Sequence, residues 1–229
     1  MSTFQPHALT IRTPPTLSPP SASSHPTPPT FTAPPLSFLQ GTWHVTHSTL
    51  PMWRKNRNVE ITYTPLPSSK PSSIQLADEV AYYAIGSSKR STVVGIDTAC
   101  GAEGGELGAF DWRGKGLLRL VSSHWEVLGW GYAEGGERSE PQVTSPETAS
   151  DSLDPPSSTT QPSDNKEEDA WMITWFGKTI FTPAGIDVYA RTKAGHAPWV
   201  VEKIREALAG MEEEGMRKLG GELFEVVRE

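Results

Sequence analysis

The residues best placed for chemistry in this chain are His47, His124 and Glu126. His124 and Glu126 stand two apart in a run that reads as a strand, so they share a face, and a histidine beside a carboxylate can pass a proton. If His47 points inward with Trp43, the three converge, with Asp111, Asp187 or Tyr189 as companions. The set could then do general acid and base work, or simply be satisfied polar residues inside a wet interior. His44 and His47 are three apart, which on a regular strand sends them to opposite faces and prevents them from sharing one ion. Lys178 and Arg119 could face the carboxylate of a ligand or lie on a solvated wall.

Tryptophan is the second resource. Of eight, Trp125, Trp130, Trp171 and Trp175 fall in the late strand-like segments. With Trp43 and Tyr189 their flat rings could wall a pocket for an aromatic, terpenoid or fatty molecule, or fill the core with themselves. Cys100 is the only cysteine, which rules out an internal disulfide and suits a reducing compartment. Its neighbours Thr98-Ala99 and Gly101-Ala102 make it loop filler. No metal or other cofactor is expected, since there is no paired-cysteine spacing, no His-Glu-x-x-His and no glycine-rich loop leading from strand to helix.

These residues must be held by about 160 of the 229 residues. Residues 1–35 hold ten prolines among Ser and Thr, too little apolar surface to offset the entropy of ordering, and read as a disordered tail. Residues 134–169 read as a disordered insertion loop, leaving one domain over 36–229. This loop carries ten acidic and two basic residues, a net of minus eight against minus seven for the whole chain, so the rest is near plus one. A near-neutral folded part predicts no basic face for nucleic acid and no polybasic membrane patch. No run is long and apolar enough for a membrane span, and His7, Thr10 and Arg12 interrupt any secretory signal. A cytoplasmic protein is the expectation.

From Gly41 the pattern has a period of two. Trp43, Val45 and His47 share one face of the first segment, and Val59, Ile61 and Tyr63 one face of the second. Further segments over 74–85, 91–97, 106–112, 117–132, 171–178 and 186–192 give about eight or nine antiparallel strands. The connection Leu50–Arg57 is long and partly apolar and could fold over a barrel mouth or equally be an Ω-loop packed by its own side chains. The fold class is therefore mainly β, an antiparallel up-and-down barrel. After Pro198, apolar residues at three- and four-residue steps from Val200 to Val227 predict an amphipathic helix, broken near Gly210 and Gly220-Gly221. It could lie along the barrel or receive a protein partner.

Gly41-Thr42-Trp43 on the first strand, Arg191 near the end of the last and the helix beyond it resemble the lipocalin-like proteins of the calycin group. The resemblance covers about 150 residues. It implies that Arg191 covers Trp43 at a closed barrel end, with Gly41 in a structural role. It also implies a small hydrophobic ligand in the barrel, or a haem-type ligand on histidine as in nitrobindin-like calycins. The function expected is the binding of a small hydrophobic molecule. The alternative is a cyclase or isomerase using His47, His124 or Glu126 in the same shell, and a third reading is an interaction protein with a solid barrel.

Overall fold

Alternating apolar and polar residues become a hydrogen-bonded ladder only if each strand finds two neighbours, and here the ladder closes on itself. The computed structural model describes residues 9–17, 31–67, 74–100, 108–133 and 169–229. A single helical turn, α1 (Leu36–Leu39), leads into β1 (Gly41–Ser48). A 3-10 turn at Pro51–Lys55 connects it to β2 (Asn56–Pro65). Then come β3 (Gln75–Ala84), β4 (Arg90–Ala99), β5 (Ala109–Gly114) and β6 (Ser122–Tyr132). β7 (Ala170–Phe176) and β8 (Gly185–Ala190) complete the wall. Each strand pairs antiparallel with the next, and β1 pairs with both β2 and β8, closing an eight-stranded barrel.

Two helices follow, α2 (Pro198–Ala209) and α3 (Glu214–Glu222), and then a two-residue strand, β9 (Phe224–Glu225), on the edge of β1 at His47 and Ser48. The helix break near Gly210 is where it was expected, but Gly220 and Gly221 lie inside α3. A Cβ on Gly220 would meet Leu208 Cβ at 2.8 Å, so this glycine lets α3 approach α2. Of the stretch 117–123, expected as a strand, residues 117–121 are not extended, with a 3-10 turn at Gly116–Leu118, and β6 begins only at Ser122.

The described residues form two cores. Inside the barrel lie Trp43, Val45, Val59, Ile61, Tyr63, Leu76, Phe110, Trp125, Val127, Met172 and Tyr189. Outside, Leu128, Ile173, Ile186 and Val188 of β6–β8 pack against Val200, Ile204 and Leu208 of α2 and Met216 of α3. The apolar stripe of α2 is therefore occupied within the molecule, where the sequence left a partner open.

Part of the proline-rich tail differs from expectation. Residues 9–17 run along the outside of β6, with the Arg12 amide donating to Leu128 O at 2.8 Å. The Arg12 side chain donates to Val127 O at 2.8 Å and Gly108 O at 2.7 Å, and lies over the Phe31 ring. One arginine able to satisfy two buried carbonyls anchors a segment whose composition alone could not order it. The acidic insertion 134–169 lies outside the described residues except at Asp169. Among the described residues no helix is long and apolar enough to cross a membrane.

Candidate functional site

The closed end is built around Gly41. Its φ of +99° is one that side chains rarely adopt, and a Cβ there would meet Arg191 Nη1 at 3.3 Å. Freed of that obstacle, the Arg191 guanidinium lies 3.7 Å from the Trp43 ring centroid. It donates to Thr42 O at 3.2 Å and to Phe38 O, while Trp43 Nε1 donates to Leu39 O at 2.9 Å. The expected arginine-over-tryptophan contact is present. Trp130 belongs to this stopper as well, 4.6 Å from Phe38 and donating to Thr32 O at 2.7 Å.

Above the stopper, Trp125 stacks on Phe110 at 4.4 Å and on Tyr63 at 5.6 Å. Tyr189 stands 6.4 Å from Trp43 and meets Thr174 Oγ1 through its hydroxyl at 3.2 Å. Trp43, Trp125 and Tyr189 are thus interior. Trp171 and Trp175 are corrected to the outer wall. There they join the cluster under α2 and the 9–17 segment, because in β7 Met172 and Thr174 take the lumenal phase beside Tyr189 and Asp187, leaving Trp171, Ile173 and Trp175 on the outer face.

Three aspartates also face the interior: Asp78, Asp97 and Asp187. Asp97 accepts from Trp125 Nε1 at 2.7 Å, yet its other oxygen has no partner, and neither has Asp78 Oδ1. Burial raises the Asp97 carboxyl to about 7 against the opposing bond from Trp125. Burial, helped by the charge of Asp97, pushes Asp78 well above the usual carboxylate range. Asp187 sits nearer the other end, accepting from Ser48 Oγ at 2.5 Å and Trp53 Nε1 at 3.3 Å. Burial holds it at about 7 despite those bonds. These acids were missed as a group: Asp78 stands in phase with Leu76, Val80 and Tyr82 of β3, the one signal the sequence offered, whereas Asp97 shares its phase with Ser91, Val93 and Gly95 while Val94 and Ile96 take the other.

Trp53 closes the mouth. The connection between β1 and β2 does fold over it, with the Trp53 ring 5.6 Å from Tyr82 and hydrogen-bonded to Asp187. Tyr82, Trp112 and Phe176, also inward-facing, are only partly buried.

His47, His124 and Glu126 do not converge. A bulge between Val45 and His47 turns His47 outward, toward His196 and Arg205 of the helical side. The same bulge puts His44 and His47 on one face, reversing the expectation from regular alternation. Burial lowers His47 to about 4 and His196 to about 3, so neither takes up a proton near neutrality. His124 and Glu126 do share a face, but it is the outer one. His124 Nδ1 meets Asp111 Oδ1 at 2.8 Å and Nε2 meets Glu126 Oε1 at 3.1 Å; both bonds raise its pKa, that to Glu126 more. Thr16 Oγ1 donates to the same Glu126 oxygen at 2.7 Å, so the cluster fastens the N-terminal segment.

Cys100, Asp111 and His124 place three donor atoms within 4.8 Å and could hold a metal ion. With both ring nitrogens of His124 already on carboxylates, the cluster is satisfied without one. His124 and Asp111 also edge an outer groove of about 1100 Å³ that reaches Lys178, Ile180 and Phe181.

No family model matches the chain, and no curated protein matches it. Among solved structures it is similar to lobster apocrustacyanin A1, with 12% identity over 85% of this chain and 79% of that one, at a TM-score of 0.47. Apocrustacyanin C1 matches at 12% identity over 84% and 78%, TM-score 0.46. The siderocalin Ex-FABP matches at 13% identity over 84% and 95%, TM-score 0.44. The architecture itself rests on this chain's closed ladder: an eight-stranded antiparallel barrel, stoppered by Trp43 and Arg191.

Proposed function

We propose that this barrel binds a small hydrophobic molecule that carries a hydrogen-bond donor, taken in past Trp53. The observation that carries the reading is the pair of buried carboxylate oxygens, Asp78 Oδ1 and Asp97 Oδ2, without partners among aromatic rings. Leaving such a group unmet costs about 1–3 kcal/mol, which a guest's amine or hydroxyl would recover. The rings of Tyr63, Trp112 and Trp125 supply the apolar contact, and Trp125 reports on it because its indole is hydrogen-bonded to Asp97. The lone cysteine supports a reducing, cytoplasmic setting.

The test is tryptophan fluorescence titration with paired apolar compounds that differ only in bearing an amine or hydroxyl. Donor-bearing members should quench at lower concentration, and Asp97→Asn should shrink the difference about tenfold or more, the equivalent of one hydrogen bond to a charged group. Equal titration by both members of each pair, or no quenching by any, would refute the reading.

A second reading, a cyclase or isomerase, is favoured by one observation: two interior carboxyls, Asp97 and Asp187, are held at about 7 and can give or take a proton at neutral pH. That chemistry would fall to the aspartates and not to His47, His124 or Glu126. It requires that Asp187→Asn abolish turnover while leaving the quenching titration intact.

A further inference from the structure

In an up-and-down barrel, alternate connections gather at the same end. The four at the Trp53 end are residues 49–55, 85–89, 115–121 and 177–184. Together they hold Arg54, Lys55, Lys89, Lys115, Arg119 and Lys178 and not one acidic residue, in a chain whose net charge is minus seven. The three connections at the opposite end include the 134–169 run, which carries ten of the 27 acidic residues. Among the described residues the Trp53 end therefore gathers cations on every connection, which a whole-chain sum conceals.

The same four connections expose large apolar side chains. Leu117 is 102% exposed, Ile180 91%, Leu120 87% and Phe181 71%, with Ile85 and Met52 also exposed on the neighbouring loops. Single exposed apolar residues are ordinary, but tips on every connection at one end, interleaved with cations, are not. Leu120, Ile180, Phe181, Lys115 and Lys178 share the walls of one groove, so the tips of two loops lie side by side. Asp111, the one carboxylate among the described residues lining that groove, is engaged by His124.

We propose that this end of the barrel docks on an anionic membrane surface, with Leu117, Leu120, Ile180 and Phe181 entering the headgroup boundary and the six cations meeting lipid phosphates. The charge pattern argues for a bilayer over a protein groove: the cations stand on all four connections and so are spread around the barrel end as a plane of negative charge requires, and Glu222 and Glu225, which the C-terminal segment brings to this end, are paired with Lys218 and Arg228. Each cation near such a surface strengthens binding about fivefold, and each apolar tip withdrawn from water about tenfold. The proposal stands whether or not the barrel takes a guest.

The experiment is flotation of the full chain with vesicles of phosphatidylcholine alone and of phosphatidylcholine with phosphatidylserine, at low and high salt. The wild type should float with the anionic vesicles, less so as salt rises, and stay behind with the neutral ones. Two variants, L117S/L120S/I180S/F181S and K115E/R119E/K178E, alter exposed residues only, and far-ultraviolet circular dichroism checks that each is folded. Each folded variant should lose about a hundredfold or more in vesicle affinity. No binding to anionic vesicles, equal binding to neutral ones, or full binding by the serine variant would overturn the proposal.

Discussion

Replacing Asp187 with asparagine isolates the free energy of a carboxyl confined inside the barrel. Asp187 is 1% exposed, bonded to Ser48 Oγ and Trp53 Nε1, and its pKa is raised from 3.8 to about 7, with burial the dominant cause. The folded carboxyl thus keeps its proton up to about pH 7, whereas the unfolded chain releases it near 3.8. The stability contributed by the protonated group is full below pH 3.8 and is lost as pH rises through 7. A shift of about three units corresponds to about 4 kcal/mol, an upper value because a buried site relaxes when charged. The substituted asparagine cannot titrate, although its amide group faces the Trp53 donor and costs about 1 kcal/mol at every pH. Urea unfolding of both proteins from pH 4 to pH 8.5 reads the difference directly, because Asp78 and Asp97 act in both and subtract out. The variant should be slightly less stable at pH 4 and gain on the wild type by about 2–4 kcal/mol by pH 8. A difference that stays constant across the range would show that Asp187 titrates as a solvated group, and the enclosed mouth would be refuted.

Gly41→Ala forces a side chain into a φ of +99° and against Arg191 Nη1, and should cost about 1–3 kcal/mol in thermal or urea unfolding. An unchanged midpoint would contradict the account of the closed end. Trp53→Ala should cost about 3–5 kcal/mol and admit water to Asp187, so that the pH dependence assigned to that residue flattens. Arg12→Ala removes two bonds to Val127 O and Gly108 O; about 2–4 kcal/mol should be lost, and the backbone amide at that position, bonded to Leu128 O, should lose its protection in hydrogen exchange. If protection survives, the segment is held by something other than that side chain.

The alternation in Val59-Glu60-Ile61-Thr62-Tyr63 was readable because β2 has one face inside and one in water. The same rule gave no answer for β7, where Ala170 to Trp175 are all buried, since helices and the N-terminal segment cover its outer face. Hence Trp171 and Trp175 were read into the lumen with Trp125. His47 was misplaced for a different reason: a one-residue bulge in β1 reverses every side chain beyond it and leaves no mark in composition. The carboxylates were overlooked because Val94 and Ile96 suggest an inward face that excludes Asp97, until the ladder shows that β4 faces the other way, with Val94 exposed and Asp97 buried. The near-neutral charge of the folded part hid the cationic end, because a sum over residues cannot tell where they gather.

What the sequence alone determined is the class of the fold and one joint within it. Period-two segments joined in order specify an antiparallel barrel, and the resemblance carried by Gly41, Trp43 and Arg191 implied its stopper; the structure adds the reason, since a Cβ at Gly41 would meet the guanidinium that lies over the indole. Only the tertiary structure decided which residues meet inside. Burial of Asp78, Asp97 and Asp187, the outward turn of His47 and the assembly of four loops into one charged end all depend on register and closure. Those are properties of strand pairing, and a shift of one residue exchanges the two faces at a stroke.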